Sequence, residues 1–146
     1  MIKKVLVCID GSDYANRALN FALDLAHKYS AEIQLLTVVP PIFLPATSLE
    51  IVKTEAIADA TLQLENSFRK ILAKAEEKAK KTKPNLRVST KFEQGSPDEK
   101  IIETANRGGF DIVVMGSRGV GHRHYHIGSV SERVVDQATC PVLIVK

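Results

Sequence analysis

Short β-branched runs alternate with stretches of helical period along this chain, and that alternation restricts the folds open to it. Ile2 to Ile9 (IKKVLVCI) has strand length and is cut off by Asp10-Gly11-Ser12. From Asp13 the period changes. Ala15, Ala18, Leu19, Ala22, Leu25 and Ala26 recur at helical spacing, with Ser12 or Asp13 available as the N-terminal cap. Glu32 to Val39 (EIQLLTVV) forms a second strand stopped by Pro40-Pro41, and a proline-bearing loop runs to about Ser48. A long helix follows, from Ile51 or later to Lys81, with an apolar stripe through Leu64, Phe68, Ile71, Leu72, Ala75 and Ala79.

The second half repeats the plan. Leu86 to Glu93 alternates as a third, edge-like strand, and Gly95-Ser96-Pro97-Asp98-Glu99 starts a helix with Ser as N-cap and Pro at the first helical position. That helix stops at Gly108-Gly109, where glycine supplies a left-handed C-cap. Asp111 to Met115 (DIVVM) is a fourth strand, apolar enough to be covered on both faces. A glycine-rich loop leads to a short helix carrying Val130, Val134, Val135 and Ala138, and Pro141 to Val145 closes the chain as a fifth strand.

Alternation of this kind implies a parallel sheet with right-handed crossovers and helices on both faces. The first and fourth strands are the most apolar, which suits central positions. One doubly wound α/β arrangement that sets them side by side is the five-stranded order 3-2-1-4-5. Ligands of such sheets bind where the order reverses, outside the carboxyl ends of the strands. Here that crevice is flanked by Asp10-Gly11-Ser12 and by the loop Gly116 to Ser129 (GSRGVGHRHYHIGS).

Glycines in this loop allow close backbone approach to an anion, and the helix starting near Gly128-Ser129 adds free N–H groups and a positive dipole end. Ser129 and Ser131 offer hydroxyls to phosphate oxygens. Arg118 and Arg123 are cations within reach of phosphate, each equally readable as an exposed arginine. Asp10 is placed to accept hydrogen bonds from a ribose or to help hold a metal, although Asp-Gly-Ser is also simple turn chemistry. Two common phosphate motifs fail. After Gly116-x4-Gly121 a P-loop requires Lys-Ser/Thr where His122-Arg123 stands, and Gly119-Val120-Gly121 lacks the third glycine of a dinucleotide fingerprint.

The spacing Gly116-x2-Gly119 followed by Gly128-Ser129, in a chain that opens VLVCIDGSD and ends CPVLIVK, resembles the universal stress protein family. The resemblance spans essentially the whole length and includes GSVSERVV after the loop. It implies the 3-2-1-4-5 sheet, a single domain over residues 1–146, and the branch of the family that binds ATP. On this resemblance Asp10 contacts the ribose and the Val38 backbone meets the adenine. Met115, Gly116, Gly119, Gly128, Ser129, Val130 and Ser131 surround ribose and phosphates, commonly with Mg²⁺ or Mn²⁺. The resemblance further implies a homodimer through Pro141 to Val145, whose position at a sheet edge invites pairing with another chain. The implied role is that of an ATP-binding sensor or regulatory module in stress response, with at most slow hydrolysis. The spacer Val120 to Ile127 is eight residues long where the family pattern has nine.

Two other readings stand beside this one. A member without nucleotide would act through protein interaction alone. The alternating His122, His124 and His126 would put three imidazoles on one side of an extended loop, a set that suits zinc or copper. No Ser-His-Asp or Cys-His arrangement and no carboxylate pair points to a dedicated catalyst. A formal charge of +3, with many lysines sharing one helical face with Glu76 and Glu77, does not favour nucleic acid. No stretch approaches the roughly 18 apolar residues of a membrane span. Asp10 ends the first apolar run too early for a signal peptide, so the expected location is cytoplasmic. Cys8 and Cys140 read as small core hydrophobes.

Overall fold

The computed structural model describes residues 1–42, 52–120 and 126–146. Its elements run β1 (Lys4–Cys8), α1 (Asp13–Tyr29), β2 (Glu32–Val39), α2 (Val52–Thr82), β3 (Val88–Gln94), α3 (Pro97–Arg107), β4 (Ile112–Gly116), α4 (Ser129–Gln137) and β5 (Val142–Val145). All pairings are parallel and the sheet order is β3-β2-β1-β4-β5. The expected topology is therefore the observed one. β1 lies at the centre, and β2 is as deeply buried as the two strands the apolar count favoured.

Alternation along the strands feeds two apolar layers. Val5, Val7, Ile33, Leu35 and Val114 face α1 and α2, while Leu6, Leu36, Val38, Val113 and Met115 face α3 and α4. In α1 the stripe is Ala15, Ala18, Leu19, Ala22, Leu23 and Ala26. Leu23, rather than the expected Leu25, is fully buried, because an α-helical turn of 3.6 residues returns to the face of Leu19 nearer residue 23. Leu19 and Leu23 are each 1% exposed, and burial of that completeness stabilises the fold by about 1.5–3 kcal/mol per side chain. The C-terminal half of α2 buries Leu72, Ala75 and Ala79, whereas Leu64, Phe68 and Ile71 are only half covered.

The first strand starts later than its apolar run because of a long-range contact. The Asp111 carboxylate accepts the Lys3 and Lys4 N–H groups at 2.7 and 2.9 Å, and these bonds hold its pKa below the ordinary aspartate value. That side chain occupies amides at the start of β1, and β4 begins one residue later, at Ile112. Ser12 caps α1 by accepting the Ala15 N–H at 3.0 Å, as the sequence implies. Ser96 occupies the N-cap of α3 but makes no side-chain capping bond; its hydroxyl donates to Asp98 instead. At the other end of α3 the left-handed residue is Gly109 (φ +65°), while Gly108 keeps right-handed backbone.

Candidate functional site

β1 and β4 are neighbours in the sheet, yet their following helices, α1 and α4, pack on opposite faces. The chain therefore parts at the carboxyl ends of these two strands, and a cavity of about 310 Å³ opens there. Asp10 reaches it from the end of β1, Val38 from the end of β2, and Met115 and Gly116 from the end of β4. Arg118 and Gly119 line it from the following loop, and Gly128, Ser129, Val130 and Ser131 from the start of α4. All ten residues assigned to a ligand site from sequence thus border one cavity.

Nine further residues line it. Cys8, Leu36, Pro40, Phe68, Pro97 and Ile101 are the ones that give its inner end an apolar, partly ring-shaped wall. None was assigned to the site from sequence. Phe68 reads in sequence as part of the α2 stripe, and Ile101 as the apolar face of α3. Only the packing of α2 and α3 over the carboxyl edge of the sheet turns them toward the cavity. Burial pushes the Cys8 thiol up to about 12, with the Asp10 carboxylate adding to the effect. Cys8 therefore contributes neutral wall and no nucleophile.

The polar end is organised by hydrogen bonds of the protein to itself. Asp10 Oδ1 accepts the Ser12 N–H at 2.9 Å, so Asp10 is a turn residue as well as a cavity residue. Gly119 makes room for its other oxygen: a Cβ at position 119 would lie 2.9 Å from Asp10 Oδ2. Gly116 serves a different contact, since a Cβ there would lie 2.6 Å from Tyr14 Cβ. The Ser131 hydroxyl, buried, lies 3.1 Å from the Gly116 carbonyl and 3.2 Å from that of Ser117, and it donates to these. It tethers α4 to the end of β4. Arg118 donates to the His126 carbonyl at 3.0 Å and to the Tyr14 hydroxyl at 3.1 Å.

Among the described residues the amides at the start of α4 have no side-chain partner. Its N-cap is Gly128, which has no side chain, and no side chain caps the helix. The N–H groups of its first turn thus lie beside Gly119 and Arg118 on the cavity wall with the positive end of the helix dipole. α4 is held in place from outside by Arg133, which pairs with the largely buried Asp98 of α3. The Ser96 hydroxyl first, then the Glu99 N–H and Arg133, keep the Asp98 carboxyl below the usual aspartate range against the opposing effect of burial. His122, His124 and Arg123 lie outside the described residues; His126 is exposed and contributes its backbone carbonyl.

A doubly wound α/β sheet with a cavity at its switch point is the class defined by this geometry. The sequence matches the universal stress protein family over residues 1–146. It is 35% identical over 150 residues to universal stress protein YxiE of Bacillus subtilis, with all of both chains covered. A universal stress protein solved in complex with cAMP superposes with a TM-score of 0.72 at 24% identity, over 99% of this chain and 97% of that one. A family protein from Arabidopsis thaliana solved with AMP bound gives 0.64 at 23% identity, over 99% and 91%. The chain belongs to the universal stress protein family.

Proposed function

We propose that this protein binds ATP, with Mg²⁺ or Mn²⁺, in the switch-point cavity and works as a sensor or regulatory module in stress response. The observation that carries this reading is the division of one cavity into two chemical halves. An apolar end built from Val38, Pro40, Phe68 and Ile101 suits a purine base, and an end of glycines, open amides and Arg118 suits phosphates. Asp10 lines the same cavity from the end of β1, and its carboxylate suits the hydroxyls of a ribose. The complexes of two related proteins with cAMP and AMP support an adenine nucleotide. ATP rather than a shorter nucleotide is our extension, resting on the free amides of α4 and the cation beside them.

The donor set fits a metal carried by the nucleotide. Among the described residues Asp10 is the only carboxylate on the cavity wall, and one of its oxygens already holds Ser12. Magnesium typically takes one or two carboxylates and completes its shell with phosphates and water. Histidine, cysteine and carboxylate groups form no cluster of three among the described residues. Among the described residues the cavity wall carries no histidine and only the Asp10 carboxylate, already bonded to Ser12, and the reading includes slow hydrolysis at most.

Extraction of nucleotide from purified protein, followed by calorimetric titration with ATP and Mg²⁺, tests the site. One equivalent of bound nucleotide is expected, with a stabilisation of about 2.7 kcal/mol at a hundredfold excess over Kd. Protein free of nucleotide and without measurable affinity at millimolar ATP would sink the reading.

The same reading includes one domain, a cytoplasmic location and a homodimer. No helix among the described residues is long and apolar enough to cross a membrane. β5 stands at the sheet edge with Val142, Leu143, Ile144 and Val145 all only half covered, which favours a second copy as its partner. Sedimentation equilibrium should return twice the 16.0 kDa of one chain; a monomer at all micromolar concentrations contradicts the dimer.

A further inference from the structure

The glycine loop is closed at its neck by hydrogen bonds between residues near its two ends. The Gly128 N–H donates to the Ser117 carbonyl at 2.7 Å, and Arg118 Nε donates to the His126 carbonyl at 3.0 Å. Ser117 is itself tied to β5, its N–H donating to the Val145 carbonyl at 2.8 Å. The Ser131 hydroxyl bonds the Gly116 and Ser117 carbonyls from α4. The ends that border the cavity are therefore pinned to one another and to the sheet.

Arg118 is the charged member of this neck on the cavity wall, and its orientation is set from α1. Its Nη1 donates to the Tyr14 hydroxyl at 3.1 Å, and its guanidinium lies 5.7 Å from the centre of the Tyr14 ring. The ring is held in turn. Tyr14 Cβ packs on the bare Cα of Gly116, and the Arg17 guanidinium lies 4.6 Å from the ring centre. A guanidinium has five N–H donors in a rigid plane, so fixing two of them fixes the direction of the others.

We propose that Tyr14 is a positioning residue for the phosphate end of the site: its hydroxyl orients Arg118, which then closes the loop neck and presents its remaining N–H groups to the phosphates. The inference rests on the nucleotide reading above and assigns a role to a residue of α1 that does not border the cavity. A preset guanidinium loses less freedom when an anion binds, and a bond to a charged group is stronger than a neutral one. The consequence is specific to phosphates. The base and ribose are held elsewhere, so a nucleoside gains nothing from Tyr14.

Calorimetric titration of ATP with Mg²⁺, and of adenosine, on the wild type, Tyr14→Phe, Arg118→Gln and the double variant tests this. Phenylalanine keeps the ring, its packing on Gly116 and its contact with Arg17, so Tyr14→Phe should fold, with a urea midpoint lowered by no more than the loss of one hydrogen bond. ATP binding by Tyr14→Phe should weaken about fivefold, the scale of ordering one long side chain on binding, with adenosine within about twofold of wild type. The double variant should bind ATP no more weakly than Arg118→Gln alone, because Tyr14 acts through Arg118. Unchanged ATP affinity in Tyr14→Phe, an equal loss for adenosine, or full addition of the two effects would overturn the role of Tyr14. A wild type that binds neither ligand would instead refute the nucleotide site itself.

Discussion

Replacement of Gly116 by alanine is expected to lower the unfolding free energy by about 1–3 kcal/mol, the usual cost of forcing one methyl group into a packed interior. The added Cβ would stand 2.6 Å from Tyr14 Cβ, 2.8 Å from the Tyr14 carbonyl carbon and 3.1 Å from the Ala15 nitrogen. Two of these three atoms are backbone of α1, so no side-chain rotation relieves the clash. α1 cannot retreat cheaply either, since Leu19 and Leu23 hold it to the sheet at 1% exposure. Gly128→Ala is the matched comparison. Among the described residues its Cβ meets nothing nearer than 3.4 Å, and its φ of −67° is open to any residue, so its expected cost is that of the weaker N-cap, about 0.5–1 kcal/mol. Urea unfolding measures both. Gly116→Ala should shift the midpoint with an unchanged slope, and equal midpoints for the two variants would contradict this account of Gly116.

Gly119→Ala should separate binding from stability. Here, among the described residues beyond its chain neighbours, the added Cβ meets only the Asp10 carboxylate, at 2.9 Å from Oδ2. A carboxylate can turn aside, so the expected stability change is within about 0.5 kcal/mol. Turning aside, however, moves the oxygen that faces the cavity, while Oδ1 stays engaged with the Ser12 N–H. Loss of one hydrogen bond to a charged group costs about 1.5–3 kcal/mol, so ATP affinity should fall roughly tenfold to a hundredfold. Titration of the variant with ATP and Mg²⁺, next to its urea unfolding curve, checks both halves. Wild-type affinity in a stable Gly119→Ala protein would remove Asp10 from the site.

These two glycines belong to one short motif and look alike in sequence, yet the structure gives them different partners. Gly116 admits the backbone of α1; Gly119 admits a carboxylate. Motif spacing records that both positions exclude a side chain and is silent on what would be struck. The same limit applies to Ser131 and Arg118. Both read as free donors for phosphate, and the fold engages them first in its own closure, Ser131 on two carbonyls and Arg118 on His126 and Tyr14.

The strand–helix plan was legible because local geometry imposes its period on apolar residues, two along a strand and 3.6 along a helix. Element ends were less legible. β1 starts at Lys4 rather than Ile2 because a carboxylate from residue 111 takes amides at its start, a contact between residues more than a hundred positions apart.

By itself the sequence determined the alternating α/β class, the sites of chain reversal and the membership of the family. Each of these is carried by neighbouring residues or by a pattern of spacing. Only the tertiary structure decided which side chains share the cavity. Phe68 of α2 and Ile101 of α3 reach it because both helices overhang the carboxyl edge of the sheet, and Tyr14 reaches Arg118 because Gly116 lets α1 lie against β4. Contacts between distant segments depend on how whole elements pack, and no local period encodes them.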